Sequence, residues 1–498
     1  MNSVFTIAGR KESFSFTHSD QLLSSVEKKD YRLKIFTHLP SGCVPFHAVL
    51  LKKGQTGYLI VGKSGIGKST LAHSLESLGY SIWANDMVVC WEEKGIVYAG
   101  DVNYVSNNKT KALPIEQFFF LTTDVRDRFV PNHVECEHFY TESLLPMRKK
   151  DLQTYTQTPL FKKIVQEKTV AFGNRISVNR WMQSFQDTVV KKSNRAVGIM
   201  GMGTVGKHVG SLLASESYLN ALNVFSRNRN KLECEVLDLR SANTELPVRV
   251  CSDLCELIQG SDSVIVSFRS PQPKRIRPNE QERFFTCEKN LPILWSLSRV
   301  LRTNKFKGTI VMVTNPVDIL SWVLYRYSNM NDDKTLDWQG LFSDQIIGIG
   351  LGLDFARMKL IEKNEVYVCG EHGDNILLAK RKAITLYPYS NERLKKFVTG
   401  FSAEVRKCTE RTKYGPAHEI VRVLRVLQSQ QGEMQVSGLQ TNGLFLGDVF
   451  EYQHGSLRIK FQKSKKLLKQ LQPTVQLHRD YQKQSIDLLR SRSWMHEL

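Results

Sequence analysis

An α/β protein is predicted by two glycine-rich turns, each set between an apolar strand and a helix, and by the strand–helix alternation that follows the second turn. The 498 residues suffice for about three domains. The boundaries fall at 1–192, 193–325 and 326–498. The first is a phosphate-loop α/β domain, the second a dinucleotide-binding α/β domain, and the third an α+β domain. Hydrophobic residues make up 41% of the chain, enough for packed cores.

Residues 1 to 40 carry short mixed strands and no motif. From His47 to Leu51 the pattern is a strand, Lys52 to Gln55 a turn, and Tyr58 to Val61 a second strand. Gly62-Lys63-Ser64-Gly65-Ile66-Gly67-Lys68-Ser69 then fits G-x-x-x-x-G-K-[ST], with Thr70 following. Glycines let backbone N–H groups wrap a phosphate without Cβ clashes. Lys68 reaches the outer phosphates, Ser69 offers a hydroxyl to Mg²⁺, and the helix from Ser69 to Leu78 turns its positive end to the anion. ATP with Mg²⁺ is the ligand this pattern implies. Gly79 to Asp86 reads as a strand ending in an acid that holds the metal or takes a proton.

His47-Ala-Val-Leu, the GKSGIGKS loop and the strand ending Asn85-Asp86 together resemble the HPr serine kinase/phosphorylase group, over about residues 40–110. The resemblance implies a kinase-like domain that phosphorylates a hydroxyl on an unknown acceptor. It gives Asp86 a base or metal role and His47 an accessory role near the transferred phosphate. Asn85 stands where that family has the first acid of a pair, and Thr70 where it has an acid. Regulatory nucleotide binding without turnover therefore stays open. Phe118 to Leu121 reads as a buried strand, 165–192 as domain end plus linker, and Lys191 to Asn194 as the hinge.

Arg195 to Met200 is a short apolar strand. Gly201-Met202-Gly203-Thr204-Val205-Gly206 follows, then a helix from Lys207 to Ser215. This is the G-x-G-x-x-G turn of a Rossmann βαβ unit: Gly201 for the tight bend, Gly203 for approach to a pyrophosphate, Gly206 for strand–helix packing. The next strand, Ala221 to Phe225, ends in Ser226-Arg227, with Arg229 close by. An acid there serves the ribose hydroxyls of NAD, whereas a hydroxyl beside guanidinium groups suits the 2′-phosphate of NADP. Both cofactors stay open, with the balance toward NADP. Asp262 to Phe268 and Gly308 to Thr314 read as further parallel strands.

GMGTVG, Asn315-Pro-Val-Asp318, Leu353-Asp354-Phe-Ala-Arg357 and Gly370-Glu371-His372-Gly373-Asp374 occur in that order. The set resembles the lactate/malate dehydrogenase family over about residues 195–490, and the resemblance makes the third domain its catalytic domain. Reducing a 2-oxo acid needs a hydride on carbon and a proton on oxygen. The resemblance gives His372 the proton, and imidazole titrates near working pH. It gives Asp354 the histidine's orientation, Arg357 the substrate carboxylate by a two-pronged bond, and Asn315 the reacting oxygen. In the loop from Arg269 to Arg283, Arg283 takes the carbonyl-polarising role and Arg277 reads the substrate's far end, where arginine implies a second carboxylate. Arg275 is the substitute if the longer loop shifts. Thr412-Lys-Tyr-Gly415-Pro-Ala resembles the pocket-lining turn and helix of the family's catalytic domain, which implies that Thr412 touches substrate. Self-association is implied by the resemblance.

The balance of 69 basic over 49 acidic residues, a net charge of +20, favours anionic partners. No aromatic-interleaved basic repeat or zinc knuckle points to nucleic acid. No apolar run is long enough to span a membrane, and no secretory signal opens the chain. Nine scattered cysteines without a CxxC pair fit reduced thiols in a cytoplasm. The leading expectation is a bifunctional chain acting on a small 2-oxo/2-hydroxy acid. The alternatives are a catalytically silent nucleotide sensor, or a dehydrogenase with a purely regulatory ATP domain.

Overall fold

The computed structural model describes residues 2–7, 10–15, 39, 42–101, 112–124, 126–144, 154–173, 180–182, 195–270, 282–409, 411–453 and 455–491, the side chains of 2–7, 10–15, 86 and 282–285 excepted. The chain divides into two compact units, Met1–Phe185 and Gln186–Leu498.

In the first unit β1 (Asn2–Ile7) and β2 (Arg10–Ser15) form an antiparallel hairpin. A seven-stranded sheet then takes β3 (Val44–Lys53), β4 (Thr56–Gly62), β5 (Ser81–Glu93), β6 (Ile96–Asp101), β7 (Leu113–Leu121), β8 (Arg128–Phe129) and β9 (Thr169–Phe172). Its order is β4-β3-β5-β6-β7-β9-β8, and β4 also pairs β7 in parallel. Helices α1 (Lys68–Glu76), α2 (His133–Ser143) and α3 (Pro159–Glu167) complete the unit. The predicted strands at 47–51 and 58–61 are β3 and β4, and the predicted helix after the phosphate loop is α1.

One expectation is corrected. The strand predicted to end at Asp86 continues to Glu93, because Met87, Val88, Val89, Cys90 and Trp91 are all buried and carry the strand through the core. Asn85 and Asp86 therefore lie mid-strand, paired with Val49 and Ala48. The segment read as domain end plus linker, 165–192, starts with the end of α3 and with β9, which pairs β7 in the sheet; the predicted hinge at 191–194 lies outside the described residues.

The second unit opens with β10 (Ala196–Met200), α4 (Thr204–Ala214), β11 (Ala221–Phe225), α5 (Arg229–Ala242), β12 (Val248–Val250), α6 (Leu254–Gln259), β13 (Ser263–Val266), α7 (Glu282–Thr303), β14 (Thr309–Met312), α8 (Val317–Ser328) and β15 (Ile346–Gly348). Strands β12-β11-β10-β13-β14-β15 lie side by side in parallel, as a doubly wound sheet requires. It continues with α9 (Gly350–Met358), β16 (Val366–Gly370), β17 (Ile376–Lys382), β18 (Thr385–Pro388), α10 (Glu392–Arg406), α11 (Tyr414–Ser429), β19 (Gln431–Leu439), β20 (Phe445–Gln453), β21 (Ser456–Ile459), β22 (Gln462–Lys463) and α12 (Lys465–Ser491). Gly348 of β15 meets Ser437 of β19 antiparallel, so the sheet runs on into β20-β16-β17-β18-β22 without a break. Residues on both sides of 325 belong to this one compact unit. No described helix is long and apolar enough to cross a membrane.

The junction positions the chemistry. α9 starts at Gly350, where an added Cβ would stand 2.5 Å from His372 Cγ and 2.7 Å from Val317 Cγ1. Only glycine lets α9 lie this close to the His372 turn and α8. Gly350→Ala should cost about 1–3 kcal/mol of stability through overpacking, seen as a lower denaturation midpoint of the full chain; an unchanged midpoint would contradict this packing.

Candidate active site

The C-terminal ends of β10, β13 and β14 face one crevice, and each sends a functional segment into it. After β10, Gly201 takes φ +105°, a conformation that favours glycine, and an added Cβ would stand 2.8 Å from Phe268 N. At Gly206 a Cβ would fall 2.1 Å from Gly201 O, whereas at Gly203 it would meet nothing within 4 Å. Two of the glycines are thus needed for packing, and the third leaves open backbone. Helix α4 starts at Thr204 with no side chain capping it, which leaves its first N–H groups to an anion. These residues fit a dinucleotide pyrophosphate.

At the end of β11, Ser226 is half-buried and Arg227 exposed. The Arg227 guanidinium donates to Arg269 O at 3.3 Å. Arg229 is engaged with Glu233 at 2.9 Å and is less available.

The crevice continues into a cavity of about 430 Å³, lined by residues from both halves of the sheet. Val205 of the glycine turn, Asn315 after β14, Asp354 and Arg357 of α9, His372 and Thr412 all line it. His372 Nδ1 bonds Asp354 Oδ2 at 2.7 Å. The other Asp354 oxygen accepts from Arg357 Nη1 at 3.1 Å, the i,i+3 spacing of one helix turn. Gly373 N also donates to Asp354 Oδ2, at 3.3 Å. Arg357 is further held by Ser402 Oγ at 2.9 Å, with its guanidinium 5.3 Å from the Phe401 ring centre.

The Asp354 side chain is 1% exposed and that of His372 13%. Burial works against charge on the imidazole, but the Asp354 carboxylate and its hydrogen bond outweigh it, and His372 holds its proton above the ordinary imidazole range. Asp318 adds to that pull and Arg357 opposes it. Burial lowers the Arg357 guanidinium, with Asp354 offsetting it. Folding stability from the His372 shift is present below the ordinary imidazole pKa and is lost as pH rises through the raised one.

Sequence reasoning left several lining residues out. Thr399, Ser402 and Arg406 recur at i, i+3 and i+7 on α10 and present one face to the cavity, and Arg411 lines it just before α11. Polar residues at helical spacing on the element after the histidine turn were the available signal. Among the described residues, no hydrogen-bond partner meets the buried Arg411 Nε. Asp318 was quoted in its motif without a role; it is 1% exposed and accepts from His372 N at 2.8 Å. Arg275 and Arg277 lie outside the described residues, as does the Arg283 side chain in the first turn of α7.

In the first unit Gly65 and Gly67 of the phosphate loop take φ +79° and +103°. Lys68, 7% exposed, donates to Gly62 O at 2.7 Å and Lys63 O at 3.1 Å, folding its ammonium back over the loop. Ser69 and Thr70 are exposed at the start of α1, while Ile66 and Gly67 are half-buried and Ser64 is exposed. His47 Nδ1 bonds Ser143 O at 3.0 Å. The Asp86 side chain is outside the described set. β7 runs parallel beside β4 and leads into Asp124, an acid not singled out from the sequence. Arg126 engages Asp124 at 2.9 and 3.0 Å.

Comparison with known proteins adds to this geometry. Residues 195–337 match the family model described as lactate/malate dehydrogenase, NAD binding domain. L-lactate dehydrogenase 1 of Staphylococcus aureus (strain JH9) is 29% identical over 197 residues, covering 37% of this chain and 57% of that protein. The chain thus spans little more than half the length of the curated relatives it matches. The solved structure of MGS-M5, a lactate dehydrogenase enzyme from a Medee basin deep-sea metagenome library, aligns with a TM-score of 0.50 at 19% identity, covering 59% of this chain and 100% of its own. Minor L-lactate dehydrogenase from Enterococcus mundtii aligns at a TM-score of 0.49 and 20% identity, covering 61% of this chain and 100% of its own. The glycine turn and its parallel sheet agree with that family match, which covers residues 195–337 of the 498.

Proposed function

We propose that residues 186–498 form an NAD(P)-dependent 2-hydroxy acid dehydrogenase. One observation carries the reading: Val205 of the dinucleotide turn and the His372–Asp354–Arg357 set line the same cavity. When bound, the reduced nicotinamide supplies a hydride to the substrate's carbonyl carbon. The Arg357 guanidinium takes the substrate carboxylate in a two-pronged bond. With Nδ1 engaged by Asp354, His372 gives a proton to the carbonyl oxygen from Nε2. Asp354 keeps the ring oriented and stabilises its charged form. Asn315 hydrogen-bonds the reacting oxygen from the rim of the cavity. Ser226 and Arg227, in place of an acid, favour a 2′-phosphate on the cofactor.

Arg406 and Arg411 line the cavity as well, which supports a substrate carrying a second anionic group. Arg277, to which the resemblance gives the far-end role, lies outside the described residues.

The first unit is read as an ATP–Mg²⁺ site built on Gly62–Thr70. Phosphoryl transfer to a hydroxyl acceptor is one use of it. Regulatory binding without transfer is the other, favoured by exposed Asn85 in the middle of β5.

Three outcomes test these readings. His372→Gln should lower kcat for 2-oxo acid reduction by about 10²–10⁴-fold and leave NADH or NADPH affinity unchanged, read on a panel of mono- and dicarboxylic 2-oxo acids. Unchanged turnover removes the assignment. Reduction needs protonated His372, so its rate should hold through neutral pH and fall on the alkaline side. Asp354→Asn should move that alkaline limb to lower pH, and a limb that stays put or rises contradicts the pairing. Lys68→Ala should weaken binding of a fluorescent ATP analogue by about 10–100-fold, the loss of a charge-assisted contact; equal affinity would remove the ATP site.

A further inference from the structure

Asn290 of α7 is 0% exposed and has the buried apolar residues Cys287, Leu291 and Leu294 around it on the helix. An amide taken out of water must find its hydrogen bonds among its neighbours. Asn290 finds them on two segments that edge the crevice. After β13, the Ser270 N–H donates to Asn290 Oδ1 at 3.3 Å. The Ser270 hydroxyl donates to the same oxygen at 2.7 Å, with Lys289 O as an alternative acceptor at 2.9 Å. After β14, Asn315 O accepts from Asn290 Nδ2 at 3.4 Å. Ser270 determines which way the amide faces. A main-chain N–H only donates, so the oxygen lies toward Ser270 and the NH₂ toward Asn315.

Asn315 lines the cavity, and among the described residues no other hydrogen bond meets it. Its place is therefore set through its main chain. On one side Thr314 is tied down: its N–H donates to Val266 O at 3.1 Å and its hydroxyl to Phe268 O at 2.8 Å. On the other side Pro316 O accepts from Leu320 N at 3.0 Å as α8 begins. Between these two ties, Asn290 holds Asn315 itself.

We propose that Asn290 is a positioning residue for Asn315: its buried amide fixes the main chain from which the Asn315 side chain reaches the reacting oxygen. This rests on the dehydrogenase reading, which gives Asn315 that contact. Without the amide, Asn315 O loses its donor and the side chain it carries drifts from the reacting oxygen. A displacement of about 1 Å at a reacting centre costs on the order of 10²-fold in rate.

Asn290→Leu in the full chain, which keeps the side chain's size without its amide, tests this as 2-oxo acid reduction. The expected result is a kcat lower by about 10–100-fold. The substrate KM stays nearly constant, because Arg357 is held by Asp354 and Ser402. Asn315→Ala should lower kcat as well, and the double variant should lose no more than Asn315→Ala alone. An unchanged kcat in Asn290→Leu, or losses that multiply in the double variant, overturns the proposal. Asn290→Ser, which adds no volume, is read in the same way if the leucine variant binds no cofactor. The kinetic arm fails with the dehydrogenase reading if the wild-type chain reduces no 2-oxo acid. A second arm does not. In a crystal structure of the Asn290→Ser full chain, the Asn315 main chain should be displaced while Thr314 keeps its bonds to Val266 and Phe268. An Asn315 left in place overturns the proposal, whatever the kinetics.

Discussion

One buried carboxylate, that of Asp354, ties the site together. It takes the Nδ1 of His372 and the amide of Gly373 on one oxygen and the guanidinium of Arg357 on the other. Removed from water, such a group is costly unless every lone pair is used. Here its partners are the two side chains to which the proposed reaction gives proton transfer and substrate binding, so the requirement to satisfy the charge also orients them. A neutral replacement would take the charged partner from both the His372 ring and the Arg357 guanidinium.

The fold supplies that carboxylate's position through close approach. α9 springs from β15 at the junction where the parallel strands give way to the antiparallel β19–β20 ladder. Gly350 lets its first turn lie against the His372 ring and α8. Asp318 comes from α8, which follows β14, and fixes the histidine's main chain from behind. Elements on both sides of the sheet's change in direction therefore meet within one turn of His372. The glycine turn after β10 brings Val205 to the same cavity, so the glycine turn and the His372–Asp354 pair are set by one sheet.

Much of this was legible in the chain. Glycine turns and strand and helix alternation carry their own signals, and Gly201 and Gly206 take the tight bend and the close strand–helix packing their residue type implied; the structure also brings His372, Asp354 and Arg357, which the family resemblance singled out, into one cluster. Other parts carried no local signal. The end of β5 was misjudged because an acid reads as a stop, whereas burial of Met87 to Trp91 carried the strand onward. Ser402, Arg406 and Arg411 belong to an amphipathic helix and the turn after it, where polar residues read as solvent-facing until the cavity beside them is known. Asp124 follows β7, whose last four residues are apolar, but its strand's place beside the one that leads into the phosphate loop depends on β7 pairing β4.

A crystal structure of the full chain with reduced nicotinamide cofactor and oxamate, an unreactive 2-oxo acid mimic, tests the central claim directly. The account predicts the oxamate carboxylate in a two-pronged bond on Arg357. Its carbonyl oxygen should lie at His372 Nε2, with the nicotinamide ring roughly 3–3.5 Å from the carbonyl carbon. Oxamate bound away from Arg357, or a His372 ring turned off Asp354 with ligand present, would contradict it.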